Sequence, residues 1–180
     1  MKQISKFIFH RILGWHITGD FPALTKCVIA VAPHTSNWDF LIAKLAYASI
    51  GRTANFLIKA EWFVFPFNLF FKSLGGIPVR REKNASLTDT LAAEFGKREQ
   101  MQLAITPEGT RKPVHEWKKG FYYIAFKASV PILLVGLDYP KKEVVSLGVI
   151  HPTGNYEKDM EIIKSRYEGM QGKNPENFLL

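Results

Sequence analysis

The stretch CVIAVAPHTSNWD, residues 27–39, decides the fold. Its first half, from Cys27 to Ala32, is short, apolar and rich in β-branched residues, which is typical of a strand buried on both faces. A polar turn follows, and the apolar segment from Asn37 to Ser49 is predicted to be a helix. A buried strand that leads directly into a helix is the unit from which α/β proteins with parallel sheets are built.

The same alternation of strands and helices continues along the chain. Further strands are predicted at residues 15–19, 55–58, 77–79, 101–105, 132–137 and 144–150. Helices are indicated by the repeat Leu87, Leu91 and Phe95, by residues 120–128 ahead of Pro131, and by Met160, Ile163, Tyr167 and Met170. We therefore expect an α/β fold with a mixed, largely parallel sheet flanked by helices.

The composition is that of one globular domain. The chain has 180 residues, of which 47% are hydrophobic and 22% charged, enough to bury a sizeable core. We expect three parts within this single domain. They are an amphipathic helix and first strand in residues 1–24, the main body in residues 25–171, and a flexible polar tail in residues 172–180.

The charge and the cysteine count limit the partners and the chemistry. Lys and Arg exceed Asp and Glu by 24 to 16, a formal net charge of +8. This excess favours acidic partners such as phosphate groups, anionic lipid surfaces or nucleic acid. Cys27 is the only cysteine, so the chain forms no internal disulfide. Its place in an apolar strand indicates a buried thiol rather than a nucleophile.

The N-terminal segment is basic and apolar but lacks the pattern of a targeting sequence. His10 and Arg11 interrupt its apolar run before the core of a signal peptide forms, so we expect no cleavage. No window of the chain approaches the roughly 20 apolar residues that a membrane-spanning helix needs. We therefore expect a soluble or peripheral protein.

Read as a helix, the first fifteen residues are amphipathic. Basic and apolar residues occupy opposite sides at i,i+4 spacing, with Lys2, Lys6 and His10 against Ile4, Ile8 and Ile12. Two interpretations are open. The apolar side packs on the core, which is the usual fate of such a stripe, or it lies in a membrane interface with the cations near lipid phosphates.

A second apolar segment, Trp62 to Phe71, is dense in aromatic residues but too short to cross a bilayer. Such a segment is either part of the core or a surface that docks on lipid. Pro66 and Asn68 break its regularity, and a protein that acts on lipid needs an apolar surface near its site.

His34 and Asp39 follow the buried strand, at the edge of the sheet where α/β proteins place their sites. A neutral imidazole is well matched to remove the proton of an acceptor hydroxyl, and a carboxylate on its other ring nitrogen fixes its tautomer. The chain has no Gly-x-Ser-x-Gly motif that would supply a nucleophile. This combination indicates that the substrate supplies the hydroxyl, in a direct transfer without a covalent enzyme intermediate.

Both residues also have a structural interpretation. Ser36-Asn37-Trp38-Asp39 fits a capping box, in which the side chains of Ser36 and Asp39 bond to free backbone amides. The same spacing recurs from Ser86 to Asp89, where no chemistry is suspected. A histidine at the end of a strand can likewise be a purely structural imidazole.

A second polar loop, Thr106-Pro107-Glu108-Gly109, follows the strand at residues 101–105. Pro at its second position and Gly at its fourth fit an ordinary β-turn. As part of a site, the loop places Glu108 and Arg111 beside His34, where Arg111 or backbone amides meet a phosphate or a developing oxyanion. Nearby cations either serve the same anion or form a solvated rim: Arg80, Arg81, Lys112, Lys118 and Lys119.

Four ordered blocks resemble the glycerolipid acyltransferase family, whose bacterial type case acylates lysophosphatidic acid. The family's His-x-x-x-x-Asp block is similar to His34 to Asp39, and its Gly-x-Ile-x-Val-x-Arg block to Gly75 to Arg81. Its Pro-Glu-Gly-Thr-Arg block is similar to Pro107 to Arg111, and its strand beginning Val-Pro-Ile to Val130 to Ile132. The blocks follow the family's order and occupy roughly residues 30 to 135 of the main body.

The resemblance implies an O-acyltransferase. Its donor would be an acyl thioester on coenzyme A or acyl carrier protein, and its acceptor the hydroxyl of a lysophospholipid, in the first instance 1-acylglycerol-3-phosphate. By analogy, His34 is the base and Asp39 orients it. The substrate-binding residues implied are Arg81, Glu108, Gly109, Thr110, Arg111 and Lys118. No metal and no bound cofactor is implied, and the expected place is the cytoplasm, peripheral on the inner face of the cell membrane and in contact with its anionic surface.

Two departures from the family pattern concern the acceptor. Thr106 stands where many relatives have an apolar or aromatic residue, and Arg80 adds a second cation beside Arg81. A phosphate-free lysolipid is therefore an alternative acceptor. Two further alternatives are a lipid-surface protein without catalysis, disfavoured by the presence of both His34 and Glu108, and a nucleic-acid binder. We expect no nucleic-acid partner, because the chain carries no recognition motif for one.

Overall fold

Helices cover both faces of a central sheet in the computed structural model. The structure describes residues 2–79 and 86–180, except for the side chain of Trp62. The strands are β1 (His16–Thr18), β2 (Lys26–Ala32), β3 (Asn55–Lys59), β4 (Gly76–Val79), β5 (Met101–Ile105), β6 (Ile132–Asp138) and β7 (Glu143–Ile150). The helices are α1 (Lys2–Phe7), α2 (Trp38–Ser49), α3 (Phe67–Ser73), α4 (Leu87–Lys97), α5 (Gly120–Lys127) and α6 (Tyr156–Ser165). A π-helix (Ile8–Ile12) continues α1, and short 3-10 turns occur at Ala60–Trp62 and Pro175–Asn177. Every predicted strand is present, with its ends within one residue of the predicted bounds.

The strands lie in the order β1-β7-β6-β2-β5-β3-β4. All neighbouring pairs are parallel except β6 with β7, which confirms the predicted α/β fold with a mixed, largely parallel sheet. The strand β2 lies between β5 and β6, with Ala30 opposite Ile105 and Ala32 opposite Gly136. The loops that follow these three strands therefore meet at one edge of the sheet.

Alternate residues of β2 face two separate cores. Val28 and Ala30 pack with residues of α4, α5 and α6, whereas Ile29 and Val31 pack with the N-terminal segment and α2. This is why the whole strand is apolar rather than alternating. Cys27 is fully buried, and burial raises the pKa of its thiol to about 12, which confirms a structural thiol.

The N-terminal segment runs antiparallel to α2. Its first helical residue, Lys2, lies beside Gly51 just beyond the end of α2, and Trp15 packs edge-on against Tyr139 at the opposite edge of the sheet. Phe9 and Trp15 enter the core, while Ile4 and Ile12 are more than half exposed. The core interpretation of the Ile stripe is therefore wrong for Ile4 and Ile12. The wider turn of the π-helix changes the spacing of the buried residues, so a regular α-helical projection misplaces them.

The aromatic segment forms a turn and most of α3. This helix was not predicted from the sequence, because Pro66 breaks the apolar run just ahead of it and no apolar repeat marks it. None of the α3 residues is buried, and Phe65 just ahead of it is 80% exposed. The core interpretation is thus wrong for most of this segment. Lys44 of α2 donates a hydrogen bond to the carbonyl of Leu74 at the end of α3, which links the two helices. None of the described helices is both long enough and apolar enough to span a membrane.

The C-terminal region departs from expectation in two ways. The final helix ends at Ser165, because Tyr167 already bonds in a tighter turn to Lys164 and Gly169 has a left-handed φ of 79°. The residues from 172 onward, for which we expected a flexible tail, pack on the domain. Gly172 is buried, and Phe178 lies against Trp117 with ring centroids 6.4 Å apart.

Candidate active site

The loop after β2 brings His34 and Asp39 together. Nδ1 of His34 lies 3.2 Å from Oδ2 of Asp39. Asp39, in the first turn of α2, is only 2% exposed, whereas the His34 ring is partly open and lines a pocket. With Nδ1 directed at the carboxylate, Nε2 is the ring nitrogen left to meet a substrate hydroxyl.

Asp39 accepts hydrogen bonds from several donors besides the imidazole. Its Oδ2 accepts from the amides of Thr35 at 2.7 Å and Ser36 at 2.8 Å, and its Oδ1 accepts from the hydroxyl of Tyr139 at 2.5 Å. Burial raises the pKa of the carboxyl, but the hydrogen bonds from His34, Tyr139 and the two amides outweigh it, so the pKa lies below its ordinary value. Asp39 therefore both caps the turn before α2 and faces His34, and the structural and functional interpretations are compatible.

Glu108, in the loop after β5, holds the backbone of His34. Its Oε1 accepts a hydrogen bond of 2.7 Å from the His34 amide, and its Oε2 is buried without a hydrogen-bond partner among the described residues. Burial is the main reason why its pKa rises to about 7, although backbone hydrogen bonds and the charge of His34 oppose the rise. Glu108 does not line the pocket, so the geometry fits a support of His34 better than a contact with the acceptor.

The buried charge makes stability depend on pH. Because the folded-state pKa of Glu108, about 7, is above its ordinary 4.5, its contribution to stability is complete below about pH 4.5 and is lost as the pH rises through about 7. Glu108→Gln keeps an oxygen for the His34 amide but cannot ionise. In urea unfolding, we expect the variant to gain up to about 3 kcal/mol relative to the wild type between about pH 5 and pH 8. An unchanged difference across this range would contradict the raised pKa.

The other predicted substrate-binding residues fall into two groups. Gly109, Thr110 and Arg111 line the pocket. Lys118 instead supports the loop: its amide donates to the carbonyl of Pro107 at 2.7 Å, and its side chain covers Gly109 so closely that a Cβ there would lie 2.9 Å from it. Gly109 also has a φ of 66°, which favours glycine. Arg80 and Arg81 lie outside the described residues.

The pocket has a volume of about 780 Å³ and runs between α2 and the sheet. One face of α2 lines it at a spacing of three to four residues, from Phe40 through Ala43 and Tyr47 to Ile50. Across from the helix, the sheet contributes Ile29, Val31, Ala104, Val135 and Val144. Most of the lining is apolar, and the His34, Asp39 and Arg111 side chains lie at the end where β2 and β5 terminate. The pocket therefore joins polar groups at one end to a largely apolar interior.

One cation lies along this apolar interior. Lys44 lines the pocket and donates to the carbonyls of Ala54, at 3.1 Å, and Leu74. Burial lowers the pKa of its ammonium. These bonds tie α2 to the segments around β3. Within residues 2–79 and 86–180, no group of three or more His, Cys, Asp and Glu side chains has an arrangement that would hold a metal ion.

Two contributions to the site were missed from the sequence. Tyr139 follows β6, and its hydroxyl reaches Asp39. The C-terminal segment covers the loop after β2: the amide and the side chain of Asn174 donate to Oγ1 and the carbonyl of Thr35, at 3.2 and 2.8 Å. A Cβ on Gly172 would lie 2.6 Å from Thr35 Oγ1. The one available signal was position, because Tyr139 lies just beyond the carboxyl end of the predicted strand at residues 132–137.

Comparison with known proteins agrees with this geometry. A protein-family model described as Acyltransferase matches residues 16–137. No curated protein matches the chain in sequence. The chain is similar to the crystal structure of the 1-acyl-sn-glycerophosphate (LPA) acyltransferase, PlsC, from Thermotoga maritima, with a TM-score of 0.61 and 19% identity over 96% of this chain and 81% of that chain. At this identity the similarity shows a shared fold. Because the family model covers more than half of the chain, the protein belongs to the acyltransferase family, in agreement with its resemblance to the glycerolipid acyltransferases.

Proposed function

We propose that this acyltransferase moves a fatty acyl group from an acyl thioester to the hydroxyl of a lysophospholipid. The observation that carries the proposal is the His34–Asp39 pair at the polar end of a largely apolar pocket. A base beside an apolar interior suits a reaction that joins a polar headgroup to a fatty chain. The donor is a thioester on coenzyme A or acyl carrier protein, and the reaction uses no metal and no bound cofactor.

The proposed chemistry is a direct transfer. Nε2 of His34 removes the proton of the acceptor hydroxyl as its oxygen attacks the thioester carbonyl. The tetrahedral intermediate then collapses, the carbon–sulfur bond breaks, and the imidazolium returns the proton to the leaving thiolate. Asp39 stabilises the imidazolium between these steps, and its low pKa keeps it ionised at neutral pH.

The pocket is proposed to hold an acyl chain. Its volume of about 780 Å³ lies within the range of small-molecule sites, roughly 300 to 1,000 Å³. Small alanines on α2 and β5, Ala43 and Ala104, line it and leave space between helix and sheet.

The acceptor is proposed to carry a phosphate, in the first instance as 1-acylglycerol-3-phosphate. Arg111 is exposed and lines the pocket near His34, and its guanidinium is suited to bidentate contact with a phosphate. The sequence block from Gly75 to Arg81, which resembles the family pattern, adds Arg81 as a second proposed ligand of the phosphate.

Lipid mass spectrometry tests the function. Purified protein is incubated with a mixture of lysolipids, with and without phosphate, and with acyl coenzyme A or acyl carrier protein. The proposal expects a diacyl product from the phosphate-bearing acceptors that is absent when His34→Ala replaces the wild type. Product only from phosphate-free lysolipids would replace the proposed acceptor, and no acylated product from any pair would contradict the enzymatic function.

We also propose that the protein works as a peripheral protein on the anionic, cytoplasmic face of the membrane. The N-terminal helical segment, α2 and the segment around α3 expose a set of large apolar side chains: Ile4, Phe7, Ile12, Trp38, Phe40, Leu41, Val64, Phe65, Phe67, Leu69 and Phe70. We call this set the apolar face. The same parts of the chain expose the cations Lys2, Lys6, Arg11, Lys59 and Lys72, with Glu61 as an acidic exception. Apolar insertion and attraction to anionic headgroups therefore act together on this face.

The double variant Ile4→Asp, Phe67→Asp tests the apolar face. Both side chains are more than half exposed, so the fold is expected to survive, while membrane binding loses two apolar insertions of about 1.5–3 kcal/mol each. Sedimentation with anionic liposomes is expected to fall by at least tenfold, with activity on detergent-dispersed lysolipid retained. The control is Ile162→Asp on α6, which is 47% exposed on the opposite helical layer. Equal loss in the control, or unchanged binding in the folded double variant, would place the docking surface elsewhere.

A further inference from the structure

Tyr139 contacts the catalytic pair from outside all of the sequence blocks. It follows β6, the strand next to β2, so its side chain reaches the edge of the sheet where the His34 loop lies. Its hydroxyl donates a 2.5 Å hydrogen bond to Oδ1 of Asp39, the carboxylate oxygen that does not face His34. One carboxylate oxygen of Asp39 thus faces His34, and the other accepts the hydrogen bond from Tyr139.

We propose that Tyr139 is a positioning residue that sets the orientation and the charge of Asp39, and through Asp39 the basicity of His34. This inference rests on the proposed function, because it concerns the same acyl transfer. A hydroxyl that donates to one oxygen of a carboxylate takes up part of its negative charge. The carboxylate then attracts the proton on the imidazolium less strongly, which lowers the basicity of His34 and helps it to return the proton to the leaving thiolate, while the fixed carboxylate keeps the imidazole oriented to accept that proton first.

The surroundings hold Tyr139 in this position. Its ring packs edge-on against Trp15, with centroids 4.9 Å apart and planes at 89°, and its amide donates to the carbonyl of Gln171 at 2.9 Å. Trp15 is buried, and its carbonyl lies 2.9 Å from Nδ1 of His10. Burial, followed by the hydrogen bond to Asp39 and its charge, raises the pKa of the Tyr139 phenol, so it stays a donor across the neutral range.

The titratable groups around Asp39 come from each loop at this edge. His34 faces it from the loop after β2, Tyr139 from the end of β6, and Glu108 acts on it from the loop after β5. On the β6 side, Asp138 is paired with Lys141 at 2.9 Å rather than with the catalytic pair. Among these groups, Tyr139 is the one donor that can be removed without altering a charge.

The test is the kinetics of Tyr139→Phe as a function of pH, with the lysolipid acceptor on which the wild type is active. We expect kcat to fall about ten- to a hundredfold, the effect of losing a hydrogen bond to a charged group, with the KM values little changed. We also expect the acidic limb of the pH–rate profile to move to higher pH, because the unshared carboxylate attracts the imidazolium proton more strongly. In an Asp39→Asn background, the same substitution is expected to have little further effect.

The matched control is Tyr122→Phe. Tyr122 is buried, whereas Tyr139 is half-buried, and it likewise donates to an aspartate in the first turn of a helix, with its hydroxyl 2.6 Å from Oδ2 of Asp159, but it is not part of the pocket. This control is expected to lose stability and to keep both the wild-type kcat per folded molecule and the wild-type pH profile.

Several outcomes would overturn the proposal. They are a folded Tyr139→Phe protein with kcat within twofold of the wild type, an unmoved acidic limb, or an equal shift in the control. If Tyr139→Phe does not fold, difluorotyrosine at position 139 replaces it. This stronger donor is expected to move the limb to lower pH, and an unmoved limb would again overturn the proposal.

A wild type without acyl transfer would instead overturn the proposed function. If the wild type is active and His34→Ala is not, the proposed function stands, and the Tyr139 variants then test the positioning proposal by itself.

Discussion

His34→Ala is expected to lower kcat by a hundredfold or more, the usual worth of a general base. The imidazole lines the pocket, and because its Nδ1 faces Asp39, Nε2 is the ring nitrogen left free for a substrate hydroxyl. Alanine keeps the backbone amide that donates to Glu108, so the loop is expected to retain its shape. The measurement is steady-state acyl transfer, together with thermal unfolding to show that the variant is folded.

His151→Ala is the control for this experiment. His151 is exposed just after β7 and makes no contact with the pocket, so its loss is expected to leave kcat unchanged. A folded His34→Ala protein with activity within a few-fold of the wild type would contradict a base at this position. Hydroxyl activation would then come from another group or from the substrate itself.

Asp39→Asn is expected to lower kcat by a factor on the order of 10² to 10⁴, because a neutral amide no longer stabilises the imidazolium or fixes its tautomer. The free energy of unfolding is also expected to fall by about 0.5–2 kcal/mol, the usual cost of losing a helix cap. This second effect arises because Oδ2 accepts from the amides of Thr35 and Ser36, and an asparagine offers one acceptor oxygen instead of two. Turnover and urea unfolding measured on the same preparation separate the two effects.

The chain provides a matched control in Asp159→Asn. Asp159 is buried in the first turn of α6 and accepts from the Thr153 amide at 2.7 Å and from the Tyr122 hydroxyl, an arrangement that parallels Asp39 without a histidine. The control is expected to lose a similar amount of stability and to keep its turnover per folded molecule. If Asp39→Asn behaves in the same way as this control, Asp39 is a cap and not part of the catalytic pair.

Position along the chain was enough to predict the sheet and which loops meet at one of its edges. The apolar run of β2 indicates a strand buried on both faces, and parallel strands bring the loops that follow them to the same edge. His34 follows β2 and Glu108 follows β5, both predicted strands of a largely parallel sheet, so their proximity was foreseeable. The atoms that make the contact were not foreseeable, because the sequence does not show which group of His34 faces Glu108. In the structure, Glu108 accepts a hydrogen bond from the backbone amide of His34 rather than contacting its ring.

Whether the apolar segments are buried in the core or exposed could be decided only from the tertiary structure. An amphipathic pattern shows that one side of a helix is apolar, but either the core or a lipid surface can cover that side. In the N-terminal segment, the π-helix buries Phe9 and leaves Ile4 and Ile12 exposed. In α3 no side chain is buried, and this helix contacts β4, the strand at the edge of the sheet.

The sequence by itself thus determined the fold class and the strands, and it predicted that His34 and Asp39 lie together. These features depend on local patterns of apolar residues and on short motifs, which are readable along the chain. The tertiary structure alone decided that Tyr139 and Asn174 join the site, and that an apolar pocket lies under α2. Those contacts join residues about 100 or more positions apart, 39 to 139 and 35 to 174, and only the packing of strands and helices brings such distant residues together.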